Sequence, residues 1–238
     1  MANFPFQRLQ ADLAKLINKT PAGQRLLNEP ELAKQMGVSR ATLREAIRTF
    51  EVQGLIRRKQ GSGTYVVGKI KALESGLEVL ESLETIAKRQ GLKTSVSDLA
   101  VESIVADDET KSALKVSANT KLTRVRRIIR TEGRPVAYLV DILPESILHI
   151  DDLPANFNGS VLDFLLARGD SLVSSRADVS AIDGSAEVSK QLEIQRGDVL
   201  LHFSSHLFDE NNKVVDYSLS YFIPGYFNFH IVRRVGNT

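Results

Sequence analysis

The chain contains no cysteine, which excludes a disulfide framework and thiolate chemistry. It has no apolar run long enough to cross a bilayer. Residues 1–10 lack the charged start, apolar core and small-residue cleavage site of a secretory signal. The expectation is a cytoplasmic protein with no membrane partner. A net excess of charge is also lacking: 31 Lys+Arg against 29 Asp+Glu leave a net charge of only +2. What remains is ordinary for a globular protein, 42% hydrophobic and 25% charged over 238 residues, a length that suggests two domains.

The small net charge conceals an asymmetry. Residues 1–68 carry 11 Lys+Arg and 5 Asp+Glu, whereas residues 69–238 carry 20 and 24. A basic front and an acidic rear suggest that only the front meets a polyanion.

Residues 1–68 follow one pattern. Leu9, Leu13, Leu16 and Ile17 make a single helical stripe. Thr20-Pro21-Ala22-Gly23 ends that helix. Asn28 stands three residues before Glu31 as a capping-box-like start, and Pro30 is tolerated in the first turn. Leu32 and Met36 point to a core, and Gly37 closes the helix as a left-handed cap. Ser39 caps the next helix. Its Leu43, Ala46, Ile47 and Phe50 form one stripe, and Gly54 ends it. The opposite face carries Arg40, Arg44 and Arg48, with Thr42 beside them. Alone, such arginines read equally well as a solvated helix face. Followed by Arg57-Arg58-Lys59 and a Gly61-Ser62-Gly63 tip between 55–59 and 64–67, they describe a helix-turn-helix with a basic hairpin wing. Gly61-Ser62-Gly63 lacks the ending of a phosphate-binding loop.

The run 31–67 resembles the winged helix-turn-helix of the GntR family of transcription regulators. Glu31-Leu32-Ala33, Val38-Ser39-Arg40, Leu43-Arg44-Glu45-Ala46, Gly54-Leu55 and Gly61-Ser62-Gly63-Thr64 carry the likeness. The resemblance implies base or backbone contacts from Arg40 and Arg44, phosphate contacts from Ser39 and Thr42, and a wing tip at Gly61 approaching the minor groove. With the basic face added, the expected DNA-binding set is Ser39, Arg40, Thr42, Arg44, Arg48, Arg58, Gln60, Gly61 and Gly63. Leu27 stands where the family often has Pro, and Pro30 where it often has a DNA-contacting Arg, so one contact is expected to be missing.

Residues 68–91 read as a linker that becomes helical, giving domains 1–70 and 92–238 with a linker at 71–91. From Thr94 strands alternate with short helices: a helix start at 107–114, strands at 122–129 and 136–143, and an apolar-faced helix at 160–168. Leu114, Leu122, Val125, Gly133, Val136 and Tyr138 are echoed by Leu192, Leu200, Phe203, Asn211, Val215 and Tyr217, which suggests a duplicated α/β unit. Thr123-Arg124-Val125-Arg126-Arg127, Gly133-Arg134-Pro135-Val136-Ala137 and Asp216-Tyr217-Ser218-Leu219-Ser220 resemble the UTRA effector domain of the HutC branch of that family, which shares a fold with chorismate lyase. The expected class is therefore α+β: an N-terminal winged helix-turn-helix and a C-terminal α/β UTRA domain with an internal two-fold repeat.

The resemblance implies an effector pocket between the two halves of that domain. Arg124 and Arg126 would hold an anionic group, helped by Ser160 at a helix start. Strand alternation places Arg124 and Arg126 on one face, a pair suited to phosphate or carboxylate. Asp216, Ser218, Ser220 and Phe222 also share a strand face and complete the expected effector set; the same spacings would equally make a solvated sheet face. Leu139, Ile223 and Leu162 replace polar residues common in amino-sugar-binding relatives, so a less polar pocket is expected. His202 and His206 share a strand face, but no further ligands have metal-site spacing, and neither metal nor cofactor is expected.

The leading expectation is a ligand-responsive repressor. It would bind a palindromic double-stranded operator as a homodimer, under control of a small phosphate- or carboxylate-bearing metabolite. The alternatives are a chorismate lyase-like enzyme fused to a DNA-binding module, against which stands the lack of a recognisable catalytic set, and a ligand-independent DNA binder.

Overall fold

A computed structural model describes residues 4–59, 61–67 and 72–233. They form two compact units: Met1–Ala72 with Pro224–Tyr226, and Leu73–Ile223 with Phe227–Thr238.

The first unit holds α1 (Phe4–Lys19), α2 (Glu29–Met36), α3 (Arg40–Val52) and the antiparallel hairpin β1 (Ile56–Lys59) and β2 (Gly63–Val66). The stripes read from the sequence meet in one core, where Leu13, Leu32, Leu43, Ile47 and Ile56 are almost wholly enclosed. Caps set the helix boundaries. Asn28 accepts a bond from the Glu31 N–H, Gly37 turns at φ 67°, and Ser39 accepts from the Thr42 N–H. These fix the short turn between α2 and α3, and with it the direction in which α3 presents its arginines.

The second unit is a six-stranded sheet. Its elements are β3 (Leu73–Gly76), α4 (Leu83–Arg89), β4 (Thr94–Val105), α5 (Asp108–Leu114), β5 (Lys121–Thr131), β6 (Arg134–Pro144), a 3₁₀ turn (Ile150–Asp152), α6 (Val161–Arg168), β7 (Leu172–Asp183), α7 (Ala186–Gln191), β8 (Val199–Asp209), β9 (Val214–Phe222) and β10 (Phe227–His230). The strand order is β4-β5-β6-β9-β8-β7, antiparallel throughout. The two sequence segments that echo one another fall on α5-β5-β6 and α7-β8-β9. On one face α6 packs Val161 and Leu165 against Val125, Leu143 and Leu207. The other face carries α5 and α7, over β6 and β9.

One expectation needs correction. The stretch after Ala72 does become helical, at α4, but it opens with a strand rather than a linker. Leu73–Gly76 is a strand pairing in parallel with β10, Leu73 opposite Phe227 and Ser75 opposite Phe229. Leu73 then packs with Ile86 and Ala87 of α4. The pairing partner lies some 150 residues away, so no local periodicity announces the strand. Residues 68–71 lie outside the described residues.

The wing depends on Gly63. Its φ of +117° disfavours other residues, and an added Cβ would lie 2.4 Å from Arg25 Nε. Gly63→Ala is expected to cost about 1–3 kcal/mol, read as a lower urea midpoint. Gly61→Ala, at φ +72° but in open space, should cost about 1 kcal/mol, from the left-handed backbone alone.

Candidate nucleic-acid interface and ligand face

In the first unit the structure brings Arg44 and Arg58 together at Glu29 and leaves most of the expected residues at least partly exposed. Ser39, Arg40 and Arg44 are exposed on α3, and Thr42 and Arg48 are half-buried beside them. Arg58 and Gly61 are exposed in the wing. Gln60 lies outside the described residues. Two features were not anticipated. Glu29, in the first turn of α2, binds Arg44 Nε at 2.7 Å and lies 3.7 Å from Arg58. Glu51 lies 3.4 Å from Arg58 Nε and also accepts the Arg58 N–H. The hydrogen bond from Arg44 holds the Glu29 carboxyl below its usual range. Thus α2 and α3 hold the guanidinium groups of Arg44 and Arg58 in place before any polyanion arrives. The second feature is Lys59, whose ammonium sits 5.2 Å from the centre of the Tyr65 ring. Tyr65 in turn bonds Ser62 through its hydroxyl at 2.7 Å, stiffening the wing tip.

In the second unit the structure divides the expected effector set between two faces of the sheet. Arg124 and Arg126 pair across the strands with Ile142 and Val140, and these with Tyr217 and Leu219. That face lies under α5 and α7. Asp216, Ser218, Ser220 and Phe222 point the other way, as the pairing of Asp141 with Ser218 and of Leu139 with Ser220 requires. The structure therefore does not bring Arg124 and Arg126 together with Ser160 and the β9 residues, which lie on opposite faces of the sheet. The arginine facing Ser160 and Asp216 is Arg127, which sequence reasoning passed over. Three arginines in four positions allow either choice of face, and only the ladder register decides.

Arg127 is buried. Its guanidinium bonds Asp141 and lies 3.4 Å from Glu84 at the start of α4. Glu84 Oε2 is buried without a hydrogen-bond partner. Gly159, next to Ser160, leaves room for the arginine stem, since a Cβ there would lie 2.6 Å from Arg127 Cδ. Ser160 caps α6 by accepting the Asp163 N–H, and Asp163 accepts from Ser82 at 2.6 Å. Asp216 is buried and accepts the Ile142 N–H at 3.1 Å. Phe222 lies edge-on to Phe203 and Phe229 at 5.2 and 5.0 Å. The face is thus a buried guanidinium ringed by carboxylates and hydroxyls, with an aromatic wall at one end. Such a surface can accept an anionic group at Arg127 and hydrogen-bond donors at the carboxylates.

His202 and His206 stack on Tyr221 and Tyr217 at 4.8 and 5.2 Å, and burial lowers the pKa of both. Among the described residues no group of three His, Cys, Asp or Glu is placed to hold a metal ion.

Burial, and then the nearby Asp141, push Asp216 well above the usual carboxylate range. The folded state therefore holds a proton that the unfolded chain releases at lower pH. Stability should fall as pH climbs from the ordinary carboxylate pKa through the raised one. Asp216→Asn, which keeps an acceptor for Ile142, should melt higher than wild type at pH 8, with the advantage shrinking toward pH 4. Equal pH dependence of the two melting temperatures would refute this.

Comparison with known proteins agrees with the architecture. Residues 6–66 match the bacterial regulatory proteins of the gntR family, and residues 89–228, more than half the chain, match the UTRA domain. A probable fructoselysine utilization operon transcriptional repressor of Shigella flexneri is 26% identical over 213 residues, covering 89% of this chain and 86% of that one. The mannosyl-D-glycerate transport/metabolism system repressor MngR of Escherichia coli is 24% identical over 218 residues, with 89% and 88% covered. The crystal structure of PhnF from Mycobacterium smegmatis shares the fold, with TM-score 0.65 at 20% identity, covering 96% of this chain and all of that one. With both of these domains matched in one chain, the chain belongs to the gntR family of transcriptional regulators that carry a UTRA domain.

Proposed function

We propose that the chain is a repressor that binds a palindromic operator as a cytoplasmic homodimer and responds to a small anionic, hydroxyl-bearing metabolite held at Arg127. The named relatives repress utilization and transport systems, and carrying that role across gives the regulatory sense. Arg40 and Arg44 project from the exposed face of α3 and are assigned to base edges or phosphates. Ser39, Thr42 and Arg48 are assigned to the backbone, and Arg58, Gly61 and Gly63 to the wing contact.

One observation carries the ligand assignment. Arg127 is buried where Ser160, Asp216, Ser218, Ser220 and Phe222 share a face. The metabolite's phosphate or carboxylate would take Arg127. Its hydroxyl or amino groups would satisfy acceptors such as Glu84 Oε2, which is buried without a partner. Such a ligand changes operator affinity only if it prefers one arrangement of the dimer over another. Operator binding requires two recognition helices about 34 Å apart, and an arrangement that breaks this spacing releases DNA.

Arg44→Ala should weaken operator binding by about 1–3 kcal/mol and relax base choice at one position per half-site. Glu29→Gln, which frees Arg44 from its carboxylate, should raise affinity for random DNA more than for the operator. Fluorescence anisotropy on a selected operator and on scrambled DNA measures both, and equal losses on the two DNAs for Arg44→Ala would reassign it to phosphate contact.

The ligand assignment is tested on the full chain with the same operator, titrated with fructoselysine, mannosylglycerate and sugar phosphates. Arg127→Lys keeps a charge beside Asp141 and Glu84 but loses the fork. It should leave ligand-free operator binding near wild type and weaken the response at least about tenfold. A normal response in Arg127→Lys would overturn the assignment.

A further inference from the structure

The sheet face turned away from Arg127 holds a separate cavity of about 230 Å3 between α5 and α7. Its floor is apolar at the centre, where Val140 and Leu219 stand side by side next to Arg126. One wall is aromatic: the Tyr138 and Tyr221 rings are stacked at 5.9 Å with their planes 20° apart. Burial raises the pKa of both phenols, that of Tyr221 to about 12, so both hydroxyls stay protonated at neutral pH.

The charges around this floor are of both signs. Arg124 and Arg126 share a single carboxylate, Glu102, at 2.9 Å each. Glu102 alone does not balance the two guanidinium groups, the further carboxylate near Arg126, Glu187, is largely exposed to solvent, and Arg126 Nε is buried with no hydrogen-bond partner. Facing them from the helices are Glu109, which accepts the Tyr217 hydroxyl at 3.0 Å, and Glu187, 3.8 Å from Arg126. A purely anionic ligand would meet these carboxylates unfavourably. A purely cationic one would leave the buried Arg126 Nε unsatisfied.

We infer that this cavity binds a small amino-acid-like zwitterion. Its carboxylate lies on Arg124 and Arg126, its ammonium against Glu109 and Glu187, and its apolar body over Val140, Leu219 and the tyrosine wall. The site shares no residue with the Arg127 face and does not depend on the ligand proposed there. It gives the domain a second input from the opposite side of the same sheet.

Isothermal titration of the full chain tests this with four probes: L-phenylalanine, L-leucine, 3-phenylpropionate and 2-phenylethylamine. At least one amino acid should bind about tenfold or more tightly than either one-charge analogue. Arg126→Gln on the sheet and Glu109→Gln on α5 should each weaken that binding about tenfold, with far-UV circular dichroism unchanged. Arg127→Lys should leave it as in wild type, which separates this site from the other. The inference is overturned if a one-charge analogue binds as well as the amino acids, if neither amino acid saturates by about 10 mM, or if both sheet and helix variants bind like wild type.

Discussion

A side chain on a β-strand reaches only one face of its sheet, and the antiparallel ladder around β5 settles which face each of its arginines serves. Arg126 is locked opposite Val140 and Arg127 opposite Leu139. Slipping that register by one residue would exchange the guanidinium of Arg127 for those of Arg124 and Arg126 on both sides at once. The two faces consequently have different chemistry. One presents a single buried guanidinium among carboxylates and hydroxyls. The other presents two guanidinium groups sharing Glu102 beside a tyrosine wall. Pairing on both edges of β5, with β4 and β6, makes the assignment rigid.

The same economy of charge governs the first unit. Arg44 and Arg58 are not loose cations awaiting a polyanion, because Glu29 and Glu51 hold them in the ground state. A phosphate or guanine edge must therefore offer more than a carboxylate already in place. In the proposed DNA-binding role, that condition would weaken binding to arbitrary DNA and leave the bidentate fork for sites that fit it. The cap residues Asn28 and Ser39 and the left-handed Gly37 support this arrangement, since they orient α2 so that Glu29 reaches α3.

Local chemistry made the first unit legible from its sequence. Helical stripes, caps and a glycine-tipped hairpin each announce themselves within a few residues, and Leu13, Leu43 and Ile47 are buried where the 3.6-residue period puts them. The second unit was legible in its strands at 122–129 and 136–143 and in its helix at 160–168, for the same reason. The failures have a common physical cause. Strand β3 exists because β10 pairs with it, and Arg127 meets the carboxylates of Asp141 and Glu84 because long-range register puts it on their side of the sheet. Neither leaves a local signature. Arg124 and Arg126 satisfied the spacing rule for a shared face, but spacing alone does not say which face. The partnership of Glu29 with Arg44, fifteen residues apart on two helices, was equally invisible to helical periodicity.

If the ligand that controls DNA release is held by Arg127, then Arg124 and Arg126, on the opposite side of the sheet, do not meet it. Side-chain Nε resonances of arginine, recorded by NMR on the full chain, address it most directly. On titration with a metabolite that releases the operator, the Arg127 resonance should shift in step with release while those of Arg124 and Arg126 stay in place. A shift of Arg124 and Arg126 with Arg127 unmoved would place that ligand on the other face.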